Sequence, residues 1–361
     1  MKYPIYTPTI APYTKSVYHA VQSDWISSQG EYIGKTNELL KRTLGTQYVV
    51  LTNNGTSATH LLYISLKFKY PNLTKIYIPN YVFVAVWNCA LYEYSKDMIE
   101  VIEIDPHTLN MRQDDIYILS LESNSAVVVV HNIGNVVNVP RLKKLRPDLI
   151  FVEDNCEAFM EQYNQKYTGT ESLCAAISFF GNKTITSGEG GAFYTNDKEL
   201  YEFIYKTCHH GMSGERYVYD ILGRNYRMTN IQAAFLYDQL LDIKNILDNK
   251  KRVYDTYFKL LKYTKIQVVT TGKWMFVVRV PGGNYDDMFK HMISIGIDTR
   301  PMFYEITKHK HLETFTPPNI LENHHEYIML PSSPSLTIQD QRYIIESLTN
   351  YINNGDSIHD T

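Results

Sequence analysis

Residues 178–191 read Ser178-Phe179-Phe180-Gly181-Asn182-Lys183-Thr184-Ile185-Thr186-Ser187-Gly188-Glu189-Gly190-Gly191, and they set one lysine just past an apolar run, Ala175–Phe180, among glycines. The run has the character of a buried strand, and the glycines let the backbone turn tightly and pass close to a ligand. An amine at the rim of such a pocket loses solvation, which disfavours the charged form and prepares the nitrogen to attack a carbonyl. A lysine after a strand is in itself an ordinary loop residue, so its partners decide the reading. The tetrad Gly181-Asn182-Lys183-Thr184 is not the tail of a phosphate-binding P-loop, because Asn182 stands where glycine must precede the lysine.

Similar short apolar runs lie at Tyr48–Leu51, Ile76–Ile78, Val101–Ile104, Ala126–Val130, Ile150–Val152 and Ala192–Tyr194, mostly separated by polar or helix-like stretches. This pattern predicts an α/β fold with a largely parallel sheet and crossover helices. Open sheets of this kind bind ligands at the carboxyl ends of their strands, which is where the polar residues of interest fall. At 361 residues the chain exceeds what one core usually serves. We therefore expect a large domain over 1–240 and a smaller α+β domain over 241–361. Apolar spacing from Asn230 to about Lys262 predicts long helices bridging the two. Strands are expected within 266–280, a helix over 285–295, a closing helix over 340–352, and a frayed polar tail over 353–361.

The formal net charge is −3, with 35 basic and 38 acidic residues interspersed. That balance points away from a nucleic-acid or membrane surface and toward a small-molecule partner. Cys89, Cys156, Cys174 and Cys208 show no CxxC spacing, which argues against a zinc site or a disulfide framework and fits a reducing cytoplasm. No continuous apolar stretch is long enough to span a bilayer, so a soluble protein is expected.

Four further features give Lys183 its partners. The stretch Asn53-Asn54-Gly55-Thr56-Ser57-Ala58 follows a strand and opens a helix read as amphipathic over His60–Phe68. A helix start offers free N–H groups and partial positive charge to a phosphate, although Thr56 or Ser57 could equally be an ordinary N-cap. Asp154 ends a strand as Val152-Glu153-Asp154-Asn155. A carboxylate buried there needs a partner, and a pyridinium nitrogen is one that suits it. Alternation alone leaves open whether Glu153 or Asp154 points inward. Phe83 has a flat face for a ring or for the core, and the Ser178 hydroxyl asks for a phosphate oxygen or a backbone carbonyl. A lysine, a strand-end aspartate and a phosphate-binding helix start are the parts that pyridoxal 5'-phosphate (PLP) chemistry uses.

Taken in order, these motifs resemble the DegT/StrS-type sugar-nucleotide aminotransferases, PLP enzymes of fold type I with the aspartate-aminotransferase architecture. The resemblance covers nearly the whole chain. It runs through Asp24-Trp25-Ile26-Ser27-Ser28-Gln29-Gly30, Asn54-Gly55-Thr56-Ser57-Ala58, Glu153-Asp154 and the Lys183 segment. It continues through His210-Gly211-Met212, Asn225-Tyr226-Arg227-Met228-Thr229-Asn230, Gly296-Ile297-Asp298-Thr299-Arg300-Pro301 and Leu330-Pro331-Ser332-Ser333-Pro334.

The resemblance implies that Lys183 forms the Schiff base with PLP, Asp154 holds the pyridine nitrogen and Phe83 stacks on the ring. Thr56, Ser57 and Ser178 would grip the phosphate, and Asn225 would reach the cofactor of a neighbouring subunit, which requires a homodimer. Glu157, near the ring hydroxyl, and Phe303-Tyr304 resemble the perosamine-synthase branch; Trp25, Arg300 and Tyr304 are the candidate substrate contacts. Departures are Arg224 for the usual aromatic, and Asn155-Cys156 for a small pair after Asp154. The implied reaction moves the amino group of L-glutamate to C4 of a nucleotide-linked 4-keto-6-deoxyhexose, giving a product of the viosamine or perosamine kind, with a lean toward a UDP-linked sugar. Rival readings are a 3-dehydratase on the same scaffold, which carries histidine in place of the lysine, and a non-catalytic binding protein.

Overall fold

The computed structural model describes residues 1–356. All seven apolar runs become strands of one sheet: β1 (Tyr48–Thr52), β2 (Ile76–Pro79), β3 (Ile99–Ile102), β4 (Ala126–Val130), β5 (Ile150–Asp154), β8 (Ala175–Ser178) and β9 (Gly191–Thr195), with β6 (Gln162–Tyr163) and β7 (Lys166–Tyr167) forming a separate small ribbon. The order is β1-β9-β8-β5-β4-β2-β3, and β9 runs antiparallel to both of its neighbours while the other pairings are parallel. The unbroken Ala126-Val127-Val128-Val129-Val130 shows why the central strands read as continuous apolar runs. Val128 and Val130 face one core cluster and Val127 and Val129 another, so neither face of β4 meets water.

Helices α1 (Lys15–Gln22), α2 (Glu31–Leu44), α3 (Gly55–Lys69), α4 (Ala85–Glu93), α5 (Asp115–Leu119), α6 (Val139–Leu145), α7 (Lys198–Cys208) and α8 (Asn230–Leu241) surround this sheet. The expected bridge is α8 followed by α9 (Ile243–Leu261). Beyond it, β10 (Gln267–Val268), β11 (Phe276–Arg279), β12 (Arg300–Pro301) and β13 (Tyr327–Leu330) form an antiparallel sheet in the order β10-β11-β13-β12. Helices α10 (Tyr285–Ser294) and α11 (Ile338–Asp356) close over it around Tyr257, Phe276, Met288, Ile328 and Ile344. The chain start joins this second core, since the Tyr3 amide donates to the Gly296 carbonyl at 2.9 Å.

Four sequence expectations need correction. The third strand ends at Ile102 rather than Ile104, because Ile104 leaves the sheet to bridge Met111 across a turn at Asp105. The strand before Lys183 ends at Ser178; the Phe179 amide still donates to Gly190, but Phe180 starts the turn whose carbonyl accepts from the Lys183 amide. Helix α3 is not amphipathic: Ser57 through Leu66 are all buried, because the helix lies between the sheet and helices α4 and α7. The closing helix continues to Asp356, so the expected fraying fails over its first residues, and 357–361 lie outside the described residues. No helix among the described residues is long and apolar enough to cross a membrane.

The start of α3 is fixed by two local devices. Asn54 caps it, its Oδ1 accepting from the Ser57 amide at 2.8 Å. Gly55 allows the helix to touch β8, since a Cβ there would come within 2.5 Å of the Ser178 Cβ. Gly55→Ala is therefore expected to force the helix off the strand at a cost of about 1–3 kcal/mol. An unchanged urea midpoint would contradict that contact.

Candidate active site

A cavity of about 410 Å³ opens beside the carboxyl ends of β4, β5 and β8 and the start of α3. Its wall brings together six of the residues singled out from sequence: Thr56, Phe83, Asp154, Glu157, Ser178 and Lys183. The second sheet's part of the chain supplies Trp274 and Phe303. Gly188 (φ 84°) and Gly190 (φ 150°) hold left-handed backbone in the turn from Lys183 back to β9, the use expected of them.

Lys183 is nearly enclosed. Its Nζ lies 3.9 Å from Glu157 Oε1 and 4.0 Å from the centre of the Trp274 ring, a distance at which an ammonium is drawn to the aromatic face. Its carbonyl accepts a hydrogen bond from the Tyr6 hydroxyl at 3.2 Å.

Of the two carboxylates at the end of β5, Asp154 faces the cavity and Glu153 does not. Glu153 turns to the opposite side, where its Oε2 lies 2.8 Å from His131 Nε2 and accepts from the Gly169 amide at 2.8 Å. The Val137 amide donates to His131 Nδ1, so the imidazole keeps its proton on Nε2 and donates it to Glu153. Asp154 accepts from the Thr59 hydroxyl at 2.8 Å and from the Cys156 amide at 3.0 Å. The carboxylate is thus held by one donor on each oxygen and still borders the cavity.

Glu157 is buried, with Oε2 accepting from the Ile133 amide at 2.7 Å. Burial pushes its carboxyl up to about 7, against the opposing pull of Lys183 and that amide. The folded protein therefore binds a proton more readily than the unfolded chain, so this group's contribution to stability falls as pH rises from about 4.5 to about 7. Glu157→Gln, which keeps an acceptor for Ile133 and cannot ionise, is expected to be more stable than the parent above pH 7 by up to roughly 3 kcal/mol, with no gain below pH 4.5. Melting temperatures of both proteins across that range check it; a constant difference would refute it.

The remaining sequence candidates lie off this cavity. Ser57 is buried in the first turn of α3, its amide taken by Asn54. Asn225 is exposed, in a bridge with His209, and does not line the cavity. Trp25 is 57% exposed beside Gln29 and Gly30, in a loop that Asn230 clips to α8 by donating to the Trp25 carbonyl at 2.7 Å. Arg300 and Tyr304 line an adjoining pocket of about 350 Å³ that shares Phe83, Asn182, Trp274 and Phe303 with the main cavity. Arg300 is held there by Asp298.

The departures sort by orientation. Asn155 points into the core, donating to the Tyr194 hydroxyl at 2.9 Å and accepting from the Thr168 hydroxyl at 2.7 Å, whereas Cys156 lines the cavity. Arg224 lies 3.8 Å from Glu93, whose other contacts are His60 and Lys67.

Sequence reading missed Thr59, which follows Gly55 by one helical turn and so stands on the same face; that spacing was a usable signal. It also missed Tyr6, for which no local pattern exists.

A model of the DegT/DnrJ/EryC1/StrS aminotransferase family matches residues 10–349. The GDP-perosamine synthase of Escherichia coli O157:H7 is 32% identical over 97% of this chain and 99% of its own. Among solved structures, the E. coli GDP-4-keto-6-deoxy-D-mannose-3-dehydratase with bound hydrated PLP superposes with a TM-score of 0.87 at 22% identity, covering 96% of this chain and 99% of that one. The Helicobacter pylori aminotransferase PseC, involved in the biosynthesis of pseudoaminic acid, gives 0.85 at 21% identity over 96% and 98%. The architecture is that of the fold type I PLP-dependent transferases, as the sequence motifs implied. Within that class, the chain belongs to the DegT/DnrJ/EryC1/StrS aminotransferase family.

Proposed function

We propose that this protein transfers the amino group of L-glutamate to C4 of a GDP-linked 4-keto-6-deoxyhexose, releasing 2-oxoglutarate and a 4-amino-4,6-dideoxy sugar of the perosamine type. The observation that carries the reading is the convergence of Lys183, Asp154 and the start of α3 on one cavity. PLP is the cofactor, and the residues fit it. Asp154, fixed by Thr59 and the Cys156 amide, suits a protonated pyridine nitrogen. Thr56 and Ser178 stand at the positive end of α3, which suits the phosphate. Phe83, 54% exposed at the cavity wall, offers a face to the ring. When bound, PLP supplies an electron sink that lets an amine and a ketone exchange through one site.

The protein's own task is to hold, dry and move protons. Lys183 Nζ would hold the cofactor at its aldehyde carbon, and the same amine would be placed to carry a proton from the α-carbon of glutamate. Glu157, 3.9 Å from that nitrogen and titrating near neutral pH, is placed to balance its charge. Trp274, Phe303 and Phe180 line the cavity with aromatic surface that excludes water. The adjoining pocket with Arg300 and Tyr304 is assigned to the sugar nucleotide. Asn225 and Trp25, both away from the cavity of their own chain, are assigned to a site shared across a homodimer.

The residue types near Trp25, Trp274 and Arg300 suit uracil, thymine or guanine equally and give no ground for the lean toward uridine. We replace it with GDP because the 32% identical relatives are GDP-perosamine synthases. The dehydratase reading has relatives of 26% and 22% identity behind it. Lys183 favours amination over it, since the dehydratase class has histidine there. Incubation with glutamate and GDP-, UDP- or dTDP-linked 4-keto-6-deoxy sugars, followed by mass spectrometry, tests the proposal. An amino sugar on GDP is expected, and a 3-deoxy product without nitrogen would overturn it.

A further inference from the structure

Lys250 lies on α9 with its side chain wholly buried, and among the described residues it forms no ion pair. Its Nζ donates to the Trp274 carbonyl at 3.4 Å and stands 5.0 Å from the centre of the Tyr6 ring. Both neighbours are also partners of Lys183. The Tyr6 hydroxyl donates to the Lys183 carbonyl, and the Trp274 ring covers the Lys183 ammonium at 4.0 Å. One buried amine thus touches the two residues that hold the other lysine at its main-chain and side-chain ends.

A buried amine without a counter-ion is unfavourable, and replacement by an apolar residue of similar length would ordinarily fill the space better. The carboxylate whose charge acts on it, Glu161, is already engaged by Lys273, through Nζ at 2.9 Å and the amide at 2.9 Å. The charged and titratable groups around Lys250 are therefore Glu161, Lys273, Lys183, Tyr6 and Tyr254, with Glu157 beyond Lys183.

We propose that Lys250 is a positioning residue for Lys183, bracing Tyr6 and Trp274 against it and setting the electric field in which the Lys183 nitrogen gains and loses its proton. This rests on the reading of Lys183 as the residue that binds the cofactor. Burial pushes the Lys250 amine down to about 7. As pH falls through that value Lys250 becomes cationic, and a second positive charge on the Lys183 nitrogen is opposed.

The test reads the holoprotein's cofactor absorbance against pH. In Lys250→Met the charge is gone and the volume kept, so the midpoint of the spectral transition is expected to move up by about half a unit to one unit. Lys250→Gln, which retains a donor for the Trp274 carbonyl, is expected to move it in the same direction, and it serves if the Met variant does not fold. A merely structural lysine would alter melting temperature and leave the midpoint in place. An unmoved midpoint in a folded variant overturns the proposal. A parent protein with no cofactor band at all would instead overturn the assignment of Lys183.

Discussion

Lys183→Ala is expected to lower 2-oxoglutarate release by about 10⁴-fold or more, equivalent to roughly 5.5 kcal/mol of barrier. The nitrogen has two successive tasks in the proposed reaction, binding the aldehyde and then carrying the proton, and alanine can do neither. The fold should survive. Lys183 lies in a turn whose main-chain bonds, to Phe180 and from Tyr6, do not depend on the side chain. Removing the amine also removes a positive charge 3.9 Å from Glu157, so that carboxyl should titrate still higher in the variant. Borohydride treatment of the loaded parent should fix a pyridoxyl group at position 183 and none in the variant. Labelling elsewhere would show that another amine does the chemistry.

The second large effect is expected at Asp154. Asp154→Asn keeps the size of the side chain and an acceptor for the Cys156 amide, but it cannot hold a proton on a pyridine nitrogen. Turnover should fall by about 10²–10³-fold with little change in stability. Asp154→Ala is a different experiment. It strips the acceptor from the buried Thr59 hydroxyl and the Cys156 amide, at about 1–3 kcal/mol for each donor left unpaired, so it should lose melting temperature as well as activity. Equal activity loss without any stability difference between the two variants would mean that Asp154 is not held as described. Full activity in Asp154→Asn would remove it from the proposed mechanism.

The sheet was legible in the sequence because its central strands are buried on both faces. That burial writes itself as unbroken runs such as Ala126–Val130, and all seven runs became strands. The ends were less legible. Ile104 and Phe180 are as apolar as the strand residues before them, and only the turns at Asp105 and after Phe180 take them out of the ladder. Helix α3 reads as amphipathic over His60–Phe68 because His60, Ser65 and Lys67 interrupt its apolar residues. In the fold His60 meets Tyr226 and Glu93, Ser65 donates to the Leu61 carbonyl, and Thr59, just before that stretch, donates to Asp154.

The site divides the same way. Lys183 and the Gly55-Thr56-Ser57 helix start follow strands and the Glu153-Asp154 pair ends one, so local pattern and the rule about strand ends pointed to these positions. Sequence by itself determined the strands, the turn glycines and the polar residue types that come to line the cavity, since these follow from burial, backbone freedom and functional groups within a few residues. Only the tertiary structure decided that Asp154 rather than Glu153 meets the cavity, and that Trp274, Tyr6 and Lys250 gather around Lys183. Side-chain direction at a strand end depends on which donors wait on either side. Contacts between residues so far apart in the chain exist only once the second sheet and α9 have packed against the first.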